Sequence, residues 1–250
     1  MAALIGSYSG YVALAFLPPL VWLLFYLHED QRPEPKQLLF LTFLGGIFAA
    51  LLAVGVELAI FAREPIFRGF LVRSFPEILE LPLVVFFVVA LIEEYLKYFA
   101  VKVTVLGRRD FDEPVDAMVY LVTAALGFAA IENVIFLIPV FEEGFLGGVE
   151  LTVNRFLGAN LLHSLSSAIV GYALARHVFT PRRKHAVAVG VLAATVLHAL
   201  FNYFIITREI IPEIIVLVVF LLSLMAVVVF ADFERLKGER VVIDGEPNPR

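Results

Sequence analysis

The residues best able to do chemistry in this chain are glutamates and histidines that stand inside apolar runs. Glu93 and Glu94 are adjacent in one run, Glu132 lies in a second, and His163 and His198 lie in two more. A carboxylate can take a proton from water and pass it to a leaving group, and an imidazole can stabilise a developing oxyanion. These five residues are therefore the predicted catalytic groups of a hydrolytic site.

Spacing adds supporting residues to this set. Lys97 follows Glu93 by four positions, so both side chains share one helix face and can pair, which lowers the cost of burying them. Adjacent helical residues point about 100° apart, and only one of Glu93 and Glu94 is therefore expected to lie squarely on the site. Asn202 shares a helix face with His198 in the same way. The predicted supporting residues are Lys97, Asn133, Asn160 and Asn202.

The same residue types could instead hold a metal ion. Histidine and glutamate are ordinary zinc ligands, and the candidates are Glu132, His163 and His198. The chain has no His-Glu-x-x-His sequence, which many zinc proteases carry, so no cofactor is favoured. A serine nucleophile is the weaker alternative, because the serines near His163 are not part of a Gly-x-Ser-x-Gly turn.

Composition shows what kind of elements must position these groups. Of the 250 residues, 61% are hydrophobic and 17% are charged, whereas a soluble domain is about half apolar and about a quarter charged. The absence of cysteine from the sequence excludes disulfides and thiolate chemistry. The net charge of −5 offers no basic surface for nucleic acid. The sequence therefore predicts a protein whose surroundings are the lipid bilayer rather than water.

Apolar runs of about 20 residues are long enough to cross a bilayer as helices. Seven such runs predict an all-α, polytopic transmembrane helix bundle. We expect one domain over residues 1–231 and a polar cytoplasmic tail over residues 232–250. The predicted spans cover about residues 8–27, 38–62, 81–106, 115–138, 152–178, 185–206 and 210–231. The very short link between the last two predicts that they are antiparallel neighbours.

Basic residues set the predicted orientation in the cell membrane. With the N-terminus outside, thirteen of the nineteen lysines and arginines fall on the cytoplasmic side and five, Arg155 among them, fall on the other side. The N-terminus is therefore expected outside and the C-terminus in the cytoplasm. The loop over residues 63–80 departs most from the rule, and its apolar residues predict a segment that lies along the outer surface.

Depth along each span places the polar residues in one layer. At about 1.5 Å per residue, Glu93 falls at the midplane, His163 and His198 fall about 3–4 Å towards the outside, and Glu132 about 8 Å towards the outside. Because a charge at the bilayer centre costs at least about 2.5–3.5 kcal/mol, such residues face the bundle interior. The agreement between four spans predicts a single buried polar site, reached from the outer half of the membrane.

These motifs resemble those of the PrsW family of intramembrane proteases, over about residues 28–203. Ala117 and Leu121 depart from the pattern, since the family has glycines there. The matching elements are Glu93-Glu94-x-x-Lys97, the block Phe111–Asp116 leading to Gly127–Asn133, the later His163 and His198, and the loop Asp30 with Arg32-Pro33-Glu34-Pro35.

The resemblance implies a polytopic bacterial or archaeal membrane protease. One member of the family makes the first cut in a membrane-bound anti-sigma factor, on the external side, which implies a membrane-anchored protein as the substrate. The family is also similar to the CAAX prenyl proteases, whose His-x-x-x-Asn element matches His198–Asn202. The family has been classed as metalloproteases, and a glutamate-type mechanism without metal fits the same residues.

The resemblance also implies a role for each residue. By this resemblance, Glu93 or Glu94 is the general base and His163 binds the water molecule. His198 and Asn202 donate hydrogen bonds to the oxyanion, and Glu132 is a further essential carboxylate.

Two other classes of function could use these residues. Intramembrane Glu, Lys and His also form proton relays, so a proton-coupled transporter or channel is the alternative. Such folds often show internal repeats and helices broken within the membrane, and the sequence indicates neither. A seven-helix sensor or scaffold is the third class, and it needs no shared polar layer.

Overall fold

The protein is almost entirely helical in the computed structural model, which describes residues 2–29, 33–61, 82–177 and 180–237. No β-strand occurs in these four stretches, so the predicted all-α fold is confirmed. The loop over 63–80, Asp30, Arg32 and most of the predicted tail lie outside the described residues. The helices are α1 (Ala2–Glu29), α2 (Lys36–Phe61), α3 (Pro82–Thr104), α4 (Asp116–Glu143), α5 (Phe145–Leu157), α6 (Ala159–Ala175), α7 (Arg183–Thr207) and, after a 3₁₀ turn at Pro212–Ile214, α8 (Ile215–Lys237).

Six stretches among these helices are long and apolar enough to cross a membrane: α1 from Tyr8, α2, α4, α5 with α6, α7, and the 3₁₀ turn with α8. The seventh predicted span corresponds in position to α8, and the third to α3. With 23 residues α3 is long enough, but Glu93, Glu94 and Lys97 place three charged side chains within five residues at its middle. A helix of this kind needs partners for its charges inside the bundle.

The fifth predicted span differs from the structure. It begins at Phe145 rather than near residue 152, and it is interrupted between α5 and α6 at Gly158. A Cβ atom on Gly158 would lie 2.9 Å from the carbonyl oxygen of Asn154, so a side chain does not fit at the break. The break comes directly before Asn160 and His163, and it therefore sets where α6 starts.

The centre of the bundle is α4. Every residue from Pro114 to Ala130 is buried, and α1, α2 and α6 pack closely around this helix, with α3 and α5 also in contact. A helix that is apolar all round is one that other helices surround. Residues on any side of α4 can therefore reach a neighbouring helix.

Small residues let α4 approach α2 closely. A Cβ on Gly46 would lie 1.9 Å from the carbonyl oxygen of Ala124, and one on Gly127 would lie 2.1 Å from that of Phe43. Close backbone contact of this kind is how helices associate where the hydrophobic effect offers no gain. The two glycines therefore fix the crossing of α2 and α4.

A second close crossing, between α4 and α6, involves the positions that are expected to depart from the family pattern. Ala117 and Leu121 are fully buried. Across the interface a Cβ on Gly171 would lie 2.8 Å from the carbonyl oxygen of Ala117. The small residue at this contact is therefore contributed by α6, which leaves room for larger residues on α4.

The outer surface of the bundle is apolar. Large side chains such as Leu24, Phe48 and Val227 are about 70% exposed, at 70%, 68% and 69%. A soluble protein does not expose so many large apolar groups in continuous areas. This surface is suited to lipid.

Candidate active site

The charges of α3 lie in the middle of the bundle. Glu93, Glu94 and Lys97 are only 6%, 0% and 0% exposed. The Lys97 ammonium donates to Glu94 Oε1 at 2.8 Å and lies 3.7 Å from Glu93 Oε2. The sequence favoured Glu93 as the partner of Lys97, whereas the shorter contact is with Glu94. Both carboxylates lie near Lys97, but only Glu94 is within hydrogen-bond distance of it.

Glu94 is the most fully hydrogen-bonded group of the cluster. Its Oε1 accepts hydrogen bonds from Lys97 Nζ at 2.8 Å, His198 Nδ1 at 2.8 Å and Ser166 Oγ at 2.9 Å. Its Oε2 accepts a longer one from Ser167 Oγ at 3.3 Å. A carboxylate with four donors is held in one position. Glu94 therefore joins α3 to both α6 and α7.

Glu93 has the opposite environment. Its Oε2 is buried and has no hydrogen-bond partner, although Lys97 Nζ and His198 Nε2 each lie 3.7 Å away. An ionised carboxylate accepts hydrogen bonds only, so His198 must donate its Nδ1 proton to Glu94. In neutral His198, Nε2 then carries a lone pair. Glu93 Oε2 and His198 Nε2 are thus two neighbouring atoms without a short contact.

His163 links the inner and outer parts of the cluster. Its Nδ1 lies 2.7 Å from Lys97 Nζ, and its Nε2 lies 2.8 Å from Glu132 Oε2. Because an ammonium only donates hydrogen bonds, Nδ1 accepts one from Lys97. The protonated Nε2 then donates a hydrogen bond to Glu132. The ring also packs edge-on against His198, with 5.0 Å between centroids. Both nitrogens of His163 are therefore in use.

Arg155 completes the outer part of the site. Its guanidinium donates to Glu132 Oε2 at 3.0 Å and to Asn133 Oδ1 at 2.5 Å, and its side chain is only 12% exposed. From the sequence alone, Arg155 counts among the charges on the outer side that set the predicted orientation. The structure instead shows that α5 turns this arginine towards α4, where it pairs with the partly buried carboxylate of Glu132.

Two asparagines tie the polypeptide around this arginine. Asn133 Nδ2 donates to the carbonyl oxygen of Ala15 at 2.9 Å and to Asn160 Oδ1 at 3.1 Å. Asn160 Nδ2 in turn donates to the carbonyl oxygen of Arg155 at 2.7 Å, across the break between α5 and α6. These bonds satisfy backbone and amide groups that lipid could not satisfy. Asn133 and Asn160 thus lie in the hydrogen-bonded cluster, and their supporting role stays a prediction.

The structure thus brings together all five predicted catalytic residues with Lys97, Asn133 and Asn160. Asn202 is different: it is only partly buried, and no hydrogen bond joins its side chain to the rest of the cluster within the described residues. Ser166 and Ser167 also belong to the cluster, where their hydroxyl groups donate hydrogen bonds to Glu94. Among the described residues no serine hydroxyl is hydrogen-bonded to the imidazole ring of His163 or His198, although Ser166 Oγ donates to the backbone carbonyl oxygen of His163 at 3.2 Å. The serine route therefore has no base beside its nucleophile.

Two carboxylates outside this cluster also have buried oxygen atoms. Glu57 Oε1, on α2, is buried without a hydrogen-bond partner. Asp116, at the start of α4, is 1% exposed and accepts hydrogen bonds from the backbone N–H groups of Asp112 and Glu113 at 2.9 and 2.8 Å. Asp116 therefore closes the turn that leads into α4, a role that its position alone did not show.

The cluster also contains a group suited to a metal ion. One ligand atom each from Glu93, His163 and His198 lie within 4.8 Å of one another, and all three residues are buried. The sequence placed Glu132 in the position that Glu93 takes here, but Glu132 is directed at Arg155 and His163. Two histidines and a glutamate are a known zinc donor set. The set fits zinc in type and spacing, provided that His163 gives up one of its two hydrogen bonds.

Comparisons with known proteins identify the family of the chain. Residues 34–231 match the family described as "PrsW family intramembrane metalloprotease". Relatives named Protease PrsW include one from Geobacillus kaustophilus (strain HTA426), 27% identical over 186 residues, which are 74% of this chain and 74% of the relative. Another, from Clostridioides difficile (strain 630), is 27% identical over 215 residues, or 84% and 85% of the two chains.

A third relative, from Bacillus subtilis (strain 168), is 25% identical over 181 residues, or 72% of this chain and 74% of that one. No solved protein structure gives a significant match. The family match spans most of the chain and includes every residue of the buried cluster. With its apolar helices, the protein is a multi-pass membrane peptidase, and the chain belongs to the PrsW family of intramembrane metalloproteases.

Proposed function

We propose that this protein is an endopeptidase that cuts a membrane-anchored protein, with Glu93 as the general base. The observation that carries the proposal is the buried Glu93 Oε2, which has no hydrogen-bond partner in a cluster where other carboxylates have several. An unpartnered buried carboxylate oxygen is costly, and such a group is retained where it serves a function. A water molecule bound there would supply the missing partner and the nucleophile.

The proposed step begins with water between Glu93 and His198. Glu93 Oε2 takes one proton of the water, while the lone pair on His198 Nε2 accepts a hydrogen bond from the other, so that the oxygen attacks the peptide carbonyl carbon. The C–N bond then breaks, and the proton held by Glu93 passes to the leaving amine. General-base catalysis of this type contributes about 10²–10⁴-fold to the rate.

The other members of the cluster position these two groups and balance charge. Glu94 holds His198 in the required tautomer through its 2.8 Å contact with Nδ1. Lys97 places a positive charge 3.7 Å from Glu93, near the site of the developing oxyanion. His163 holds Lys97 from the other side, and Asn202, one turn after His198, is the proposed further donor to the oxyanion.

The metal-dependent variant uses the same residues. Zinc would be held by Glu93, His163 and His198, and when bound it would polarise water or the peptide carbonyl. Glu132 would then orient His163 as a partner of the ligand. We favour the variant without metal, because both nitrogens of His163 already have hydrogen-bond partners.

The substrate class follows from the position of the site. The cluster lies among helices that face lipid, so a substrate must present its peptide bond within the membrane or at its surface. A membrane-anchored anti-sigma factor, cut at the first site of a proteolytic cascade, is the proposed substrate. The predicted orientation puts this cut towards the external side.

A cleavage assay with purified protein tests the proposal. A single-span anti-sigma factor is reconstituted with the wild-type protein or with Glu93→Gln, and metal content and chelator sensitivity are measured on the same preparation. We expect Glu93→Gln to lower the rate about 10²–10⁴-fold, with activity retained in chelator. Full activity of Glu93→Gln would refute Glu93 as the base. Stoichiometric zinc whose removal abolishes cleavage would replace the metal-free variant with the metal-dependent one.

One observation favours a second candidate function. The break at Gly158 interrupts a membrane-crossing segment beside the polar cluster, and proton-coupled transporters often contain such broken helices. The liposome test is direct: proton flux that Glu93→Gln abolishes, without any cleavage of substrate, would establish the transporter in place of the protease.

A further inference from the structure

A groove runs along the outside of the bundle between α3 and α7. Its volume is about 530 Å³, and its walls are formed mainly by Leu91, Tyr95 and Tyr98 from α3 and by Val187, Val191 and Leu192 from α7. Tyr95 and Leu192 are 51% and 52% exposed. Most of the groove therefore presents an apolar, partly aromatic surface to whatever surrounds the protein.

One end of the groove is basic. Lys102, in the last turn of α3, and Lys184, in the first turn of α7, both line it, and none of its lining residues is acidic. Neither lysine forms an ion pair with a described residue, unlike Lys97 and Lys237. The N-terminus of α7 adds the positive end of a helix dipole at the same place. The groove thus combines an apolar surface with two cations at one end that form no ion pair within the described part of the chain.

This combination matches a lipid with an acidic headgroup. The lysines and helix terminus would bind the phosphate, as basic pockets between membrane helices do. The tyrosines suit the boundary between headgroup and acyl chain. An acyl chain would then lie along the apolar walls towards Leu91. Each part of the groove has a counterpart in such a lipid.

A transmembrane helix of another protein matches the groove less well. The basic end of the groove lies on the side of the membrane that is predicted to be cytoplasmic from the distribution of lysine and arginine along the sequence. Membrane helices carry an excess of lysine and arginine on that side. Lys102 and Lys184 would repel such a flank.

We propose that the groove between α3 and α7 is a binding site for an anionic phospholipid, with its phosphate at Lys102 and Lys184. The same two helices are joined further along by the contact between Glu94 and His198. A lipid bound at the basic end holds α3 and α7 together at a second point. The site is distinct from the buried cluster, and its existence does not depend on the proposed proteolysis.

Lipid retention tests the proposal. The whole protein is reconstituted in nanodiscs of phosphatidylglycerol or phosphatidylcholine, released into detergent, and the lipid that stays bound is counted by native mass spectrometry. We expect wild type to retain one phosphatidylglycerol at least about ten times more often than phosphatidylcholine. The double variant Lys102→Gln/Lys184→Gln should lose this preference, whereas the matched control Lys36→Gln/Arg109→Gln, which removes two charges outside the groove, should keep it.

A photo-crosslinking residue in place of Val191, with both lysines intact, gives a second measurement. Crosslinks to phosphatidylglycerol support the proposal. Three results would overturn it: equal retention of both lipids by wild type, equal loss in the control and the double variant, or crosslinks to a co-reconstituted single-span protein in place of lipid. Unchanged thermal unfolding of both double variants in phosphatidylcholine shows that lost binding does not reflect lost folding.

Discussion

Glu93 and Glu94 have the same chemical group and differ only in their surroundings. Glu94 accepts from Lys97, His198, Ser166 and Ser167, whereas Glu93 Oε2 accepts from none. A group that holds three helices together contributes to stability, and a group left unpartnered does not. The pair therefore separates a structural carboxylate from a proposed catalytic one at neighbouring positions.

Substitution of each glutamate by glutamine should separate stability from activity. Glu94→Gln replaces an acceptor by an amide that cannot accept at both positions, and breaking a buried ion pair costs about 3–5 kcal/mol. We expect a clearly lower unfolding temperature in detergent for Glu94→Gln and little change for Glu93→Gln, with cleavage lost in both. Equal unfolding temperatures for the two variants would contradict this division.

Arg155 should be essential although it is not proposed to react. Arg155→Gln leaves Glu132 buried with only His163 as its partner, which displaces His163 from Lys97. We expect cleavage to fall at least about tenfold and stability to fall by about 2–4 kcal/mol. The exposed Arg109 is the control, since Arg109→Gln should change neither cleavage nor thermal unfolding; a similar loss in both variants would point to a general charge effect.

Individual residues could be predicted from sequence where burial makes a polar group conspicuous. Glu93, Glu132, His163 and His198 stand in runs that lipid should surround, and depth alone predicted that they meet. Arg155 could not be assigned in this way, because an arginine at the start of a span looks the same whether it faces water or turns inward. The partner of Lys97 was also beyond prediction, since Glu93 and Glu94 are both within its reach.

At the scale of elements, backbone approach decides which helices neighbour one another. The crossing of α2 and α4 depends on Gly46 and Gly127, and that of α4 and α6 on Gly171. The apolar runs predicted the order of the membrane-crossing stretches, because length and hydropathy carry that information. They did not predict the interruption at Gly158, since the residues on both sides of it continue the same apolar run.

Gly46, at the crossing of α2 and α4, should tolerate substitution far less than Gly55, which lies elsewhere on α2. Gly46→Ala forces a Cβ into the carbonyl oxygen of Ala124, 1.9 Å away, so α2 and α4 must separate. Gly55→Ala meets nothing within 4 Å and favours the helix. We expect a lower unfolding temperature and weaker cleavage for Gly46→Ala only, measured side by side; two equally stable variants would show that the crossing can relax.

At the scale of the whole molecule, the predicted orientation can be mapped directly, because the natural sequence contains no cysteine. Glu209, between α7 and the 3₁₀ turn, and Arg109, between α3 and α4, are both exposed. With the N-terminus outside, a membrane-impermeant maleimide on intact cells should label Glu209→Cys and spare Arg109→Cys until the cells are opened. The reverse pattern would invert the topology and place the proposed cut on the cytoplasmic side.

The local pairing of Lys97 with Glu93 and Glu94 also bears on biosynthesis. During translation α3 emerges before α6 and α7 are made, so neither His163 nor His198 is yet present beside Glu93 and Glu94. Lys97 follows Glu94 by three positions and Glu93 by four on the same helix. It therefore neutralises part of their charge before any later helix is made. Lys97 thereby serves as the counterion of both glutamates while the chain enters the membrane, and His198 adds its hydrogen bond to Glu94 once α7 is in place.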